Sequence, residues 1–119
     1  MISSNIDIDL RYSDDDHTMD DQKLLAGFIR LHILHHAVEE PVYGGWMAEE
    51  LSRHGYRIGP GTLYPLLHGM ERDGYLRSRS TKVDGRAVRA YRATPRGRKA
   101  LADSKTRLRE LFHELIEEN

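Results

Sequence analysis

The chain has 119 residues, with 18 Lys or Arg against 19 Asp or Glu and no cysteine. That length holds one domain with an added helix or tail. The lack of cysteine excludes disulfides and thiolate metal sites, and no apolar run approaches the ~20 residues of a membrane span.

Charge is segregated along the chain. Residues 1–21 hold seven aspartates and a single cation, Arg11, whereas residues 72–99 hold ten Lys or Arg against Asp73 and Asp84. Fields are screened within about 10 Å, so the basic segment acts locally despite the near-zero total. Residues 1–19 are polar, acidic and aperiodic, and read as a disordered tail. No basic region followed by an apolar stretch opens the chain, so it reads as a cytoplasmic protein with no membrane partner.

Asp20-Asp21 can cap a helix, and Leu24, Leu25, Phe28, Ile29, Leu31, Leu34 and Val38 recur at helical spacing after it. Pro41 ends that helix near Glu39-Glu40. A second helix fits Gly45 to Arg53, closed by His54-Gly55. Pro60 suits the first position of a third helix, whose apolar stripe is Leu63, Leu66, Leu67 and Met70. Two alternating stretches, Tyr75 to Thr81 and Ala87 to Thr94, flank an Asp84-Gly85 turn signal and predict a β-hairpin. Thr94 caps a last helix that has Pro95 in its first turn, and Leu101, Leu108, Leu111, Phe112, Leu115 and Ile116 line one side of it. The fold class is therefore mainly α with a small β-hairpin: a winged helix-turn-helix over residues 20–94 and a C-terminal dimerisation helix over 95–119.

The winged helix-turn-helix plan sends the third helix into the DNA major groove and the hairpin to the adjacent backbone or minor groove. Thr62, Tyr64, Pro65 and His68 lie off the leucine stripe and are the candidate base and phosphate readers. Arg77, Arg79, Lys82, Arg86, Arg89 and Arg92 sit on the hairpin, the first five being the candidate phosphate anchors. Solvated charges that guard an edge strand explain two or three cations more easily than six. The apolar stripe of the last helix needs a cover. A two-fold dimer supplies it, pairing Leu108, Leu111, Phe112 and Leu115 with Leu24, Phe28 and Leu31 of the first helix.

Helical phase places His32, His35 and His36 on the apolar side of the first helix, as buried or subunit-contact residues. His32 and His36, four apart, can share a divalent metal or act as a proton-sensitive switch. The other reading is neutral imidazoles bonded to backbone or carboxylates. No cofactor is required, and no nucleophile motif, phosphate-cradling glycine loop or convergent carboxylate pair points to an enzyme.

Gly59-Pro60-Gly61-Thr62-Leu63-Tyr64-Pro65-Leu66-Leu67, followed by Met70-Glu71-Arg72-Asp73-Gly74-Tyr75-Leu76, resembles the recognition-helix signature of the PadR transcriptional regulators. Tyr43-Gly44 with Glu50-Leu51, and Tyr91 through Gly97, resemble two further family segments. The resemblance runs from about Lys23 to the C-terminus. It implies dimeric repressors on pseudo-palindromic double-stranded DNA, released by a small-molecule effector; a metal effector is the reading left open by the histidines. A winged helix that binds protein rather than DNA is the alternative reading.

Overall fold

The computed structural model describes residues 8–9 and 17–117. Apart from these, the acidic-tail reading of residues 1–19 lies outside the described residues. In chain order the elements are β1 (Ile8–Asp9), α1 (His17–Glu39), β2 (Val42–Tyr43), α2 (Gly44–Arg53), β3 (Tyr56–Arg57), α3 (Pro60–Arg72), β4 (Leu76–Val83), β5 (Arg86–Ala93) and α4 (Pro95–Phe112). A single π-helical turn, His113–Glu117, continues α4. Helix α1 starts three residues before the expected Asp20-Asp21 cap.

One sheet is antiparallel in the order β2-β5-β4, and β1 pairs with β3 in parallel. The expected hairpin is tighter than its sequence limits, because Asp84 (φ 51°) and Gly85 (φ 78°) alone make the turn. Both central residues have positive φ, the requirement of a type I′ turn, which matches the twist of the paired strands. Strand β2 was not foreseen. Two residues after Pro41 are too few to show alternation, yet Val42 pairs with Tyr91 and Tyr43 with Ala90.

The core is built from Ile29, Ile33, Leu34 and Ala37 of α1, Met47 and Leu51 of α2, Leu63, Leu67 and Met70 of α3, and Val42, Leu76, Tyr91 and Leu101 around them. Burying each larger aliphatic contributes about 1.5–3 kcal/mol. Helix α1 is apolar on two sides, which blurs its pattern. Ile29, Ile33 and Ala37 turn inward, while Leu24 is 72% exposed and Phe28 is exposed on the other side. Of the three α1 histidines expected to be buried, His32 and His36 are half-buried and His35 is exposed. His35 projects from the α1 arc that carries Leu24, Phe28 and Leu31, away from Ile33 and Ala37.

Helix α4 packs on its own domain only at its start. Thr94 Oγ1 accepts from the Gly97 amide at 3.0 Å, as a helix cap should, and donates to the Gly74 carbonyl at 2.6 Å. Gly97 lies against the Tyr75 carbonyl and the Leu34 side chain, which leaves no room for a Cβ. Beyond Leu101, the apolar residues Leu108, Leu111, Phe112, Leu115 and Ile116 are all exposed.

Candidate nucleic-acid interface

Helix α3 turns Leu63, Leu67 and Met70 into the core, so Thr62, Tyr64, Pro65 and His68 fall on its outer side and are exposed. These four are the residues singled out from the sequence, and the structure brings them onto one surface. Pro65 has no amide hydrogen, so the Gly61 carbonyl one turn earlier receives no helical bond from it. Tyr64 is 42% exposed, with its ring lying over the backbone of Gly44 at the start of α2. A Cβ at position 44 would stand 2.6 Å from Tyr64 Cε1. Gly44 therefore serves as a seat for Tyr64 of α3.

Helix and wing are locked together by Glu71. Its carboxylate accepts from the Ser78 amide at 3.0 Å and from Ser78 Oγ at 2.9 Å, and Arg89 Nη1 donates to the same Ser78 Oγ at 3.0 Å. Tyr91 lies buried beside this group. Burial, and then the Glu71 carboxylate, push its phenol above the usual tyrosine range. Sequence reasoning missed Glu71 and Ser78, since a carboxylate at a helix end beside a basic strand carries no local signature.

The wing cations do not form one row. Directly paired residues share a face, and the register pairs Arg77 with Arg92, Ser78 with Tyr91, Arg79 with Ala90, Ser80 with Arg89 and Lys82 with Ala87. Lys82 and Arg89 therefore share the face of Ser78 and Tyr91, which looks toward α3. Arg77, Arg79 and Arg92 occupy the opposite face, and Arg86 stands at the turn. The cause is the two-residue period: Leu76 and Tyr91 are pinned in the core, so their odd-numbered and even-numbered neighbours respectively must point away. The candidate set splits accordingly into an α3-side pair, Lys82 and Arg89, and an outer group containing Arg77, Arg79 and, beside the turn, Arg86.

The histidines resolve into a second polar cluster between α1 and α2. Glu50 Oε2 lies 3.4 Å from His36 Nε2 and 3.2 Å from His54 Nε2, while Arg53 Nη1 is 3.2 Å from Glu50 Oε1. The His32 ring stacks at 4.7 Å on His54, and His36 meets Trp46 edge-on at 5.1 Å. Burial, then repulsion from His54, His36 and His35, holds His32 below its ordinary value. Burial pushes Glu50 upward, but its bond to His54 and the charges of His36, His54 and Arg53 outweigh it, leaving it lowered. His32 and His36 thus turn to different partners, and among the described residues no three histidine or acidic side chains are set to hold a metal ion. The signal for Glu50 was present in the sequence, as an acid four residues before His54 on one helix face.

A family model described as the transcriptional regulator PadR-like family matches residues 33–103. The transcriptional regulator Rv3488 of Mycobacterium tuberculosis is 58% identical over 88 residues, covering 74% of this chain and 82% of that protein. The crystal structure of a PadR family transcriptional regulator from Eggerthella lenta matches with a TM-score of 0.69 at 28% identity, over 86% of this chain and 93% of its own. A PadR-like transcription factor from Bacteroides fragilis shares the fold, with a TM-score of 0.72 at 22% identity over 85% of this chain and 99% of its own. The matched span contains α3, the Glu71 clamp and both wing strands, and with them the chain belongs to the PadR-like family of transcriptional regulators, which are not enzymes.

Proposed function

We propose that this regulator is a repressor that binds a pseudo-palindromic operator as a homodimer. The observation that carries the reading is the surface shared by α3 and the near side of the wing. Thr62, Tyr64, Pro65 and His68 are exposed on α3, and Lys82 and Arg89 lie on the wing face of Ser78, which Glu71 ties to that helix, with Arg86 at the wing tip. A helix in the major groove would read base edges with the first group, and the cations would hold the phosphates.

The exposed stripe Leu108, Leu111, Phe112 and Leu115, with Leu24 and Phe28 of α1 and the half-buried Leu31, supports the dimer. An apolar strip of this length is unfavourable in water and is covered by a second copy related by a two-fold axis. The two recognition helices would then meet half-sites about 34 Å apart. Release by a small-molecule or metal effector would work by changing that separation, and requires different effector affinities for the two arrangements.

Selection of duplexes from a random-sequence library, followed by fluorescence anisotropy over a salt series, tests this reading. Three cations on each of two subunits give about six neutralised phosphates, so affinity falls about thousandfold between ~50 and ~200 mM salt. Lys82→Gln with Arg89→Gln flattens the log–log slope by about 3.6. Absence of salt-sensitive binding to any duplex refutes the DNA-binding assignment and favours a protein partner instead.

A further inference from the structure

The outer face of the wing carries a groove lined by none of Thr62, Tyr64, Pro65 and His68, although Ser78, the partner of Glu71, borders it. It has a volume of about 510 Å³, its walls are Pro41 and Tyr43 on one side and Arg77, Arg79 and Arg92 on the other, and Ala90 forms part of its lining. Ala90 sits on the central strand between Tyr43 and Arg79, and its small side chain makes the surface concave. We propose that this groove binds a small organic phosphate, the three guanidinium groups holding the phosphate oxygens and the Tyr43 ring covering the apolar part of the ligand.

Three observations support the assignment. First, Arg77 and Arg92 are direct cross-strand partners, an arrangement of like charges that is unfavourable unless an anion lies between them. Second, no carboxylate pairs with Arg77, Arg79 or Arg92 among the described residues, and no acidic side chain lines the groove. Third, protection of a strand edge accounts for cations on β4 but not for Arg92, because β5 is the central strand, flanked by β2 and β4. Guanidinium groups match phosphate in a planar, two-point geometry, and the groove volume falls within the range of sites for small organic ligands.

The lining also disfavours simpler occupants. A neutral aromatic would make no use of the three exposed guanidiniums, and a lone inorganic ion would make no use of Tyr43 and Pro41. A molecule that joins a planar ring to two or more phosphate groups satisfies both walls. This goes beyond the regulator reading, and it supplies a site for the effector which that reading leaves without one. Ligand binding itself needs no DNA, so each assignment can fail without the other.

The test is isothermal titration calorimetry on the full chain at low salt, with adenosine diphosphate, inorganic pyrophosphate and adenosine as separate probes. Adenosine diphosphate is expected to bind, pyrophosphate to bind more weakly, and adenosine not to bind. Arg92→Gln is expected to weaken adenosine diphosphate by about tenfold to hundredfold, with duplex affinity unchanged within about twofold. Lys82→Gln is expected to show the reverse pattern. Arg92→Gln also removes the like-charge pair, so the ligand-free protein is expected to melt no lower than the parent. Arg77→Lys, which keeps the charge of an exposed residue but loses the two-point geometry, gives a second variant that is expected to fold as the parent does. The proposal is overturned if no phosphate probe binds, if binding is indifferent to Arg77 and Arg92, or if Arg92→Gln lowers duplex affinity and salt slope as Lys82→Gln does. In the last case the outer arginines grip the DNA backbone.

Discussion

Replacing Gly44 with alanine asks whether the recognition-helix tyrosine is seated by the start of α2. An added Cβ would lie 2.6, 2.7 and 2.8 Å from Tyr64 Cε1, Oη and Cζ. Carbon atoms settle at about 3.5–4.0 Å, so the ring must retreat by on the order of 1 Å. Overpacking a tight core costs about 1–3 kcal/mol; here the far end of a 42% exposed ring must shift, which puts the cost near the low end, ~1 kcal/mol. The same substitution in a Tyr64→Ala background meets no ring. Because Gly44 is not among the residues of positive φ, alanine there is neutral or stabilising by about 0.4–1 kcal/mol. A double-mutant cycle over Gly44→Ala and Tyr64→Ala should therefore give a coupling energy of about 1–2 kcal/mol. It is read from urea unfolding of all four proteins at one protein concentration, because the stability of the proposed dimer would depend on concentration. Operator affinity of Gly44→Ala should fall about tenfold, close to the loss in Tyr64→Ala. Additivity of the two substitutions within about 0.5 kcal/mol would refute the seating role.

Thr94→Ala removes both the α4 cap and the 2.6 Å bond to the Gly74 carbonyl. It should cost about 2 kcal/mol, roughly 8 °C in melting temperature by calorimetry, and Thr94→Ser should restore most of it. The lowered His32 value means the unfolded chain takes up a proton more readily than the native one. Stability contributed by neutral His32 is thus complete above its ordinary value of 6.5 and declines as pH falls from there to the depressed native value. Glu50, also lowered, adds stability that is present above 4.5 and is lost as pH falls through its native value. Urea midpoints across that range should show His32→Asn with a flatter profile just below 6.5 than the parent. Parallel profiles would show that His32 does not carry the dependence.

The element order was readable because each boundary has a chemical mark. Pro41, Pro60 and the Thr94-Pro95 pair bound helices where sequence reading placed them, and Asp84-Gly85 marked the hairpin turn. The inner face of α1 was harder to read. Ile33 and Ala37 form the buried seam, yet Leu24, Phe28 and Leu31 compete with them in the same helix, and a stripe awaiting a partner has the same composition as a stripe in the core. Residue exposure on α3 followed from spacing alone. The division of the wing arginines also follows from spacing once the register is known. The sequence does not supply that register, because it depends on Leu76 and Tyr91 entering the core and on β2, a strand too short to see.

The bonds that Ser78 makes to Glu71 and Arg89 have a consequence for how such a regulator can respond. They tie α3 to the wing at a part-buried point, so helix and ribbon form one rigid piece. In the proposed dimer, a signal that alters occupancy has to move α3 and the wing as one unit. If the proposed dimer reads two half-sites in this way, mismatches within a half-site and errors in half-site separation are expected to be penalised independently.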